Sequence, residues 1–221
     1  MMRNEIDELL ARSASLERRL AGFMKLPHAD DSSRLRAAWS LASLGFEHAQ
    51  GLKHLAAAGL YTSAAALLRV QYESLVRALW TLYVATDKEA GLMIGDLNEA
   101  TAKQAGKIPM LSQMLEEIES RAPHAPIASL LEFKHYSWRP LSSFVHGGIH
   151  AVNRHGKGFP LELVLMEIRH SNGLLGLAGN LLLILAGVPA GTGGMAGIYE
   201  EFKDCFPPAS PPYKAKTEAA H

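Results

Sequence analysis

The sequence predicts an all-α protein, an antiparallel helical bundle of four to five long helices with shorter accessory helices. Three observations carry this. Apolar residues recur three and four positions apart along most of the chain, and no stretch alternates as a half-buried strand would. Proline and glycine fall between the periodic stretches, where they stop one helix and let the next begin. The composition, 48% hydrophobic and 20% charged over 221 residues, suits one domain that buries a core without disulfides or metals. Residues 1–206 are assigned to that single domain. Residues 207–221, rich in proline and ending Ala-Ala-His, are assigned to a disordered tail.

Each element follows from local chemistry. The first helix is expected from Asn4 to Met24, ended by Pro27. Asp30 to Ser33 then offer N-caps for a second helix, to about Ala58, stopped at Gly59. Thr62 or Ser63 is expected to cap a third helix reaching Ala85. A more polar stretch, Asp87 to Lys107, reads as one shorter helix ending near Gly106. Pro109 opens another to Ser120, and Pro123 and Pro126 break the chain before a helix from Ile127 to Tyr136. Proline suits the first helical turn, where its missing N–H costs nothing, so Pro140 is read as opening a helix to Arg154. His155 to Pro160 is read as a loop, Leu161 to Ala186 as a long buried helix, and Gly187 to Gly194 as a flexible connection. A short helix over Ile198 to Cys205 closes the domain.

Lys plus Arg and Asp plus Glu both number 22, so the chain as a whole is neither a strongly basic nucleic-acid binder nor an acidic tail. Its single cysteine, Cys205, permits no intrachain disulfide and no cysteine-based zinc site, and suits a reducing compartment. The N-terminus is charged and amphipathic, without the apolar core of a signal peptide. The most apolar run, Leu174 to Val188, is shorter than the roughly 18–20 residues a membrane span needs. A cytoplasmic protein without a membrane anchor is expected.

The helix expected after Trp138 is the most informative. With Arg139 as origin and a helical step, Ser142, Ser143, His146, His150 and Asn153 fall within about 60° of it. Leu141, Phe144, Val145, Ile149 and Val152 point away. An ordinary solvated face carries Lys and Glu, whereas this stripe has Arg, Ser, His and Asn, with Gly147 and Gly148 beside it. Such a stripe suits a cleft, a buried hydrogen-bond network or a two-fold interface.

The run Arg139-Pro-Leu-Ser-Ser-Phe-Val-His146 resembles the Arg-x(4–6)-His motif of the HEPN superfamily, helical bundles that include metal-independent ribonucleases and toxins. The phrase Leu141-Ser-Ser-Phe-Val-His-Gly-Gly148, with Arg69-Val-Gln-Tyr-Glu73 upstream, is similar to bacterial domains of unknown function related to that superfamily. The resemblance spans about Leu67 to Asn153. It implies a homodimer, a composite site with Arg139 and His146 as catalytic residues, and Ser142, Ser143, His150 and Asn153 as supporting donors. It also implies RNA as the target and no metal or other cofactor. Pro140 stands where active members carry a polar residue, so a nuclease and a degenerate RNA-binding relative are both open. The alternative from another class is a non-catalytic helical interaction or small-ligand-binding module.

A third reading is a metal-dependent, di-iron-like bundle enzyme. Glu132-Phe-Lys-His135 and Glu167-Ile-Arg-His170 are both Glu-x-x-His pairs, and Glu47 and Glu73 supply two lone carboxylates. The order is wrong for that arrangement, because both pairs come last. Arg69, Glu73 and Arg77 lie one turn apart on one helix and are read as a structural ion network in which Glu73 bridges both cations. Cys205 has no histidine near it in sequence and is read as inert, and Gly191-Thr-Gly-Gly194 as a linker.

Overall fold

A computed structural model describes residues 2–105, 108–122, 126–189 and 191–208. The described residues form helices and no strands. The long helices are α1 (Met2–Ala21), α2 (Ser33–Ala57), α3 (Tyr61–Tyr83), α7 (Ile127–Val145) and α9 (Leu161–Leu185). The shorter ones are α4 (Asp87–Ile94), α5 (Glu99–Ala105), α6 (Leu111–Arg121), α8 (Ile149–Lys157) and α10 (Met195–Glu201). Single 3-10 turns follow α1 at Gly22–Lys25 and α10 at Lys203–Cys205.

Alanine sets the closeness of the central pair. α2 buries Ala38, Ala42, Gly45, Ala49 and Ala56 along one face, and α3 answers with Ala64, Ala65, Leu68 and Leu75. Small residues at this spacing let the two helix axes approach closely. Directions follow from the pairs that meet. Leu67 lies against Gly51 and Gln71 against Gly45, so α3 runs antiparallel to α2. Lys53 of α2 meets Glu17 of α1, while Ala56 and Gly59 lie near Arg3 and Ile6, so α1 also opposes α2. Ser13 meets Asn172, and Leu20 meets Gly179, so α9 runs parallel to α1. The bundle is therefore mixed, with α1, α3 and α9 pointing one way and α2 and α7 the other.

Buried polar pairs fix the register. The Gln71 side-chain amide donates to the Ser171 carbonyl at 2.9 Å, and the Ser171 hydroxyl donates to Gln71 Oε1 at 2.7 Å. Asn172 Nδ2 donates to Ser13 Oγ at 2.8 Å and to the Cys205 carbonyl at 3.0 Å, tying α1, α9 and the last 3-10 turn together. Trp80 Nε1 donates to Glu117 at 2.6 Å and holds α6 on α3. A one-residue slip would orphan each of these groups, at a cost of roughly 1–3 kcal/mol apiece.

Several expected boundaries move. α3 begins at Tyr61 with Leu60 before it, and neither Thr62 nor Ser63 caps it. The expected helix from Asp87 to Lys107 is two, α4 and α5, interrupted at Gly95 to Asn98, and Gly106 and Lys107 lie outside the described residues. The Thr86 hydroxyl and the Glu89 carboxylate cap α4 reciprocally, which fixes its start. α7 continues from Ile127 through Pro140 to Val145, so the expected break at Tyr136 and fresh start at Pro140 are both corrected. Aromatic packing overrides the proline here: Phe133 stacks on buried Tyr72 at 4.6 Å, and Trp138 meets it edge-on at 6.3 Å. α8 extends to Lys157, shortening the expected loop. The expected helix from Ile198 divides into α10, capped by Gly194 at φ +77°, and the 3-10 turn. Pro207 lies against Gly173 of α9, while residues 209–221 of the expected tail lie outside the described residues. No helix among the described residues is long and apolar enough to cross a membrane.

Lys53 and Glu17 form an ion pair with only 7% and 14% of their side chains exposed. Burial pulls the Lys53 pKa down, and the Glu17 carboxylate opposes that pull. Glu17→Ala would strand a buried ammonium and is expected to cost roughly 3–5 kcal/mol in urea denaturation. Adding Lys53→Met should restore most of the loss, because the uncompensated charge goes with it. A single variant as stable as wild type would show that water already reaches Lys53.

Candidate functional site

The site is built where α7 docks on α3. Arg69 of α3 donates from Nε to Glu73 Oε1 at 2.8 Å, and its Nη1 donates to the Ser142 hydroxyl. Its guanidinium lies over the Trp138 ring, 3.8 Å from the centroid. One planar cation therefore holds three groups at once, a carboxylate on its own helix and a hydroxyl and an indole on the neighbouring one. With 13% of the Arg69 side chain and 26% of Glu73 exposed, the pair is shielded from solvent. The expected ion network is present for Arg69 and Glu73. Arg77 is half-buried and forms no ion pair among the described residues, which corrects the bridging role given to Glu73.

Beyond that joint the chain turns an elbow. The Ser142 carbonyl accepts the His146 N–H at 3.1 Å, and the Ser143 carbonyl accepts the Gly148 N–H at 2.7 Å. Gly147 takes φ +64°, a left-handed conformation that strongly favours glycine. A Cβ on Gly148 would sit 2.6 Å from Ser143 Oγ. That oxygen in turn accepts the first-turn N–H of His150 at 2.9 Å and so starts α8. The Ser-Ser-x-x-x-Gly-Gly wording of this segment is thus accounted for by the turn.

The predicted stripe is divided by this elbow. Arg139 and His146 do share α7, Arg139 on its outer face and His146 as its C-terminal cap, both exposed and about 10 Å apart along the axis. Ser142 is turned inward to Arg69 and to the Trp138 carbonyl, 2.7 Å away, and Ser143 is occupied by the elbow, so neither is a free supporting donor. His150 and Asn153 are exposed on α8, a separate helix, rather than continuing one face with Arg139. The helical projection fails past His146 because it assumes an unbroken axis.

Two features of this corner escape the motif reading. Ile149 and Val152 on α8 are 80% and 67% exposed, unlike Leu141 and Phe144, with which the helical projection groups them. Phe159 explains how α8 is held instead. Its ring packs 5.7 Å from both Phe144 and Tyr61, pinning the end of α8 while Ile149 and Val152 face outward. The second feature is charge. Between Glu132 and Glu162 there is no acidic residue, yet the segment carries Lys134, Arg139, Arg154 and Lys157 with His135, His146, His150 and His155. The net charge of zero conceals this, because it averages over the chain.

The carboxylate and histidine pairs proposed for a metal do not converge. Among the described residues no three of His, Cys, Asp and Glu gather closely enough to hold an ion. Glu47 is exposed on α2, Glu73 is taken by Arg69, and His135 packs edge-on to Tyr136 at 4.8 Å. His170 is half-buried and meets the Phe133 ring edge-to-face at 5.7 Å. Burial lowers its pKa, and Glu132 partly offsets that. Glu167 is 6% exposed, and burial pushes its carboxyl up to about 8. Cys205 is fully buried, and burial, with Asp204 beside it, raises its thiol to about 11, so it is a poor nucleophile.

Arg69→Met should cost roughly 2–4 kcal/mol, because it leaves the half-buried Glu73 carboxylate unpaired and uncovers Trp138. The near-UV dichroism of the indole should fall with it. Arg69→Lys should recover little, since an ammonium cannot stack and bridge in one plane. For Glu167 the sign follows from a folded pKa above the unfolded one. The protein is not penalised below about pH 4.5, loses stability as pH rises toward 8, and is flat beyond. Glu167→Gln should match wild type at pH 5 and exceed it by roughly 3–5 kcal/mol at pH 9 in urea titrations. Parallel pH profiles in the two proteins would contradict this assignment.

No curated protein and no solved structure matches the chain. One family does, over residues 42–208, which takes in every element from the middle of α2 to the last 3-10 turn. The chain belongs to the family of unknown function DUF6988.

Proposed function

We propose that the α7–α8 corner is an RNA-directed site of HEPN-like type, worked by Arg139 and His146 in a homodimer in the cytoplasm. The observation that supports it most is the acid-free, cation- and histidine-bearing segment between Glu132 and Glu162, which includes exposed Arg139, His146 and His150. A surface of this sign attracts a phosphate backbone even on a neutral protein. Exposed Val145, Ile149 and Val152, at 40%, 80% and 67%, offer an apolar strip beside the motif for a second copy to cover.

The chemistry needs no metal. His146 takes the proton of a ribose 2′-hydroxyl as O2′ attacks the adjacent phosphorus. Arg139 holds the equatorial oxygens of the pentacoordinate phosphate with its planar fork. The P–O5′ bond breaks, and a protonated histidine of the second copy supplies the proton to the leaving oxygen. The products are a 2′,3′-cyclic phosphate and a 5′-hydroxyl. A second reading, a degenerate relative that binds RNA and does not cut it, is favoured by the engagement of Ser142 and Ser143 in packing and turn formation.

The deciding experiment is cleavage of RNA by the purified protein in excess EDTA. Cleavage should persist, and Arg139→Ala and His146→Ala should each lower its rate at least about 100-fold. RNA bound but uncut by wild type would select the degenerate relative. Activity abolished by EDTA, or retained in both variants, would overturn the assignment of these residues.

A further inference from the structure

Tyr136 sits on α7 one turn before Arg139 and is 66% exposed. It is the one aromatic among the large exposed hydrophobic side chains of the described residues. The other rings of this region have partners inside the protein. Phe133 and Trp138 pack on Tyr72, and Phe144 packs on Phe159. Among the described residues Tyr136 meets the His135 ring, 4.8 Å away and nearly perpendicular, and the residue still leaves two thirds of its surface to solvent. Pro140 adds a second feature beside the ring, because it supplies no N–H to the Tyr136 carbonyl four residues back.

Position gives this ring a use. Three residues along a helix bring Tyr136 within about 4.5 Å of Arg139 along the axis, on the same outer stripe. An exposed aromatic beside a cation is the pairing that holds a nucleotide, with the base on the ring and its phosphate on the guanidinium. The bases of a duplex are already stacked on one another and cannot take such a platform, whereas an unpaired base can. From Phe133 to Leu161 no acid repels a phosphate at Arg139, and Glu132 lies one turn further back, before Tyr136.

We infer that Tyr136 is a base-stacking platform that confines the RNA taken by the Arg139 face to single strands. This deepens the function proposed above and rests on it. The ring acts in binding and takes no part in bond making, so Tyr136 is a specificity residue.

The test is fluorescence anisotropy with a labelled, unstructured single-stranded RNA and a duplex RNA, at several salt concentrations. Wild type, Tyr136→Ala, Tyr136→Phe and Arg139→Ala are compared, with gel filtration of each. Wild type should prefer the single strand. Tyr136→Ala should weaken that complex about tenfold, leave duplex binding as it was and leave the salt dependence unchanged, because no charge is lost. Tyr136→Phe should bind like wild type, since the stacking face is kept. Arg139→Ala should weaken both complexes and flatten the salt dependence by about one unit of slope. If Tyr136→Ala binds the single strand as wild type does while Arg139→Ala is weakened, the platform is wrong and the RNA face stands. If wild type binds neither RNA at low salt, the proposed function fails and the platform with it. A change of oligomeric state in Tyr136→Ala with unaltered RNA affinity would place the ring in a protein interface and overturn the inference.

Discussion

The Arg69 guanidinium is the constraint on which the α7–α8 corner of the molecule depends. It fastens α7 to α3 through Ser142 and Trp138 while Glu73 balances its charge. A helix carrying a proline in its interior would ordinarily bend or break there. Held by Arg69 above, and by the stack of Phe133 on Tyr72 below, α7 stays helical through Pro140. The outward residues Tyr136, Arg139 and His146 are thereby carried on one supported element. Rigid placement of this kind is what a site needs before any of its side chains can be specific.

Much of the bundle was legible because its helices are long and their apolar spacing is regular. α2 and α9 end within about a residue of where Gly59 and Gly187 predict. The errors gather where tertiary packing competes with a local signal. Pro140 reads as a helix start, and the aromatic residues on either side of it make it a helix interior. Gly147 and Gly148 read as small residues beside the polar stripe, and the structure uses them to turn the chain around Ser143. That turn is also why a projection built on one straight axis grouped Ile149 and Val152 with Leu141 and Phe144, and His150 with Arg139. Arg69 and Glu73 were legible as a pair from their i, i+4 spacing, but their partners on α7 lie about seventy positions away and leave no local trace.

The candidate site rests on a different kind of signal. Motif spacing selected Arg139 and His146, and their common exposure on α7 is consistent with it. The stronger chemical signal, an absence of carboxylates from Phe133 to Leu161, was present in the sequence and lost in the average. Acids are plentiful elsewhere. α6 carries Glu116, Glu117 and Glu119, and Asp204 and Glu201 at the far end of the chain meet Arg12 and Arg19 of α1. Those pairs neutralise cations of α1, whereas the segment from Phe133 to Leu161 carries cations and no acid.

This partition bears on how a neutral protein can engage an anionic polymer. Attraction over a Debye length, about 8 Å in physiological salt, is set by the charges of one face, not by the sum over the chain. A corner bearing Arg139, Arg154 and Lys157 would steer phosphate at close range and yet release it readily as salt rises. Affinity must then come from contacts that salt does not screen, and the exposed Tyr136 ring and the apolar strip of Ile149 and Val152 are the groups on this face able to make them. Their exposure, when the other aromatics among the described residues are at least partly buried, is therefore what the charge distribution would require of a binding surface. The packed bundle beneath holds α7, and the elbow at Gly147 and Gly148 sets where α8 presents the rest.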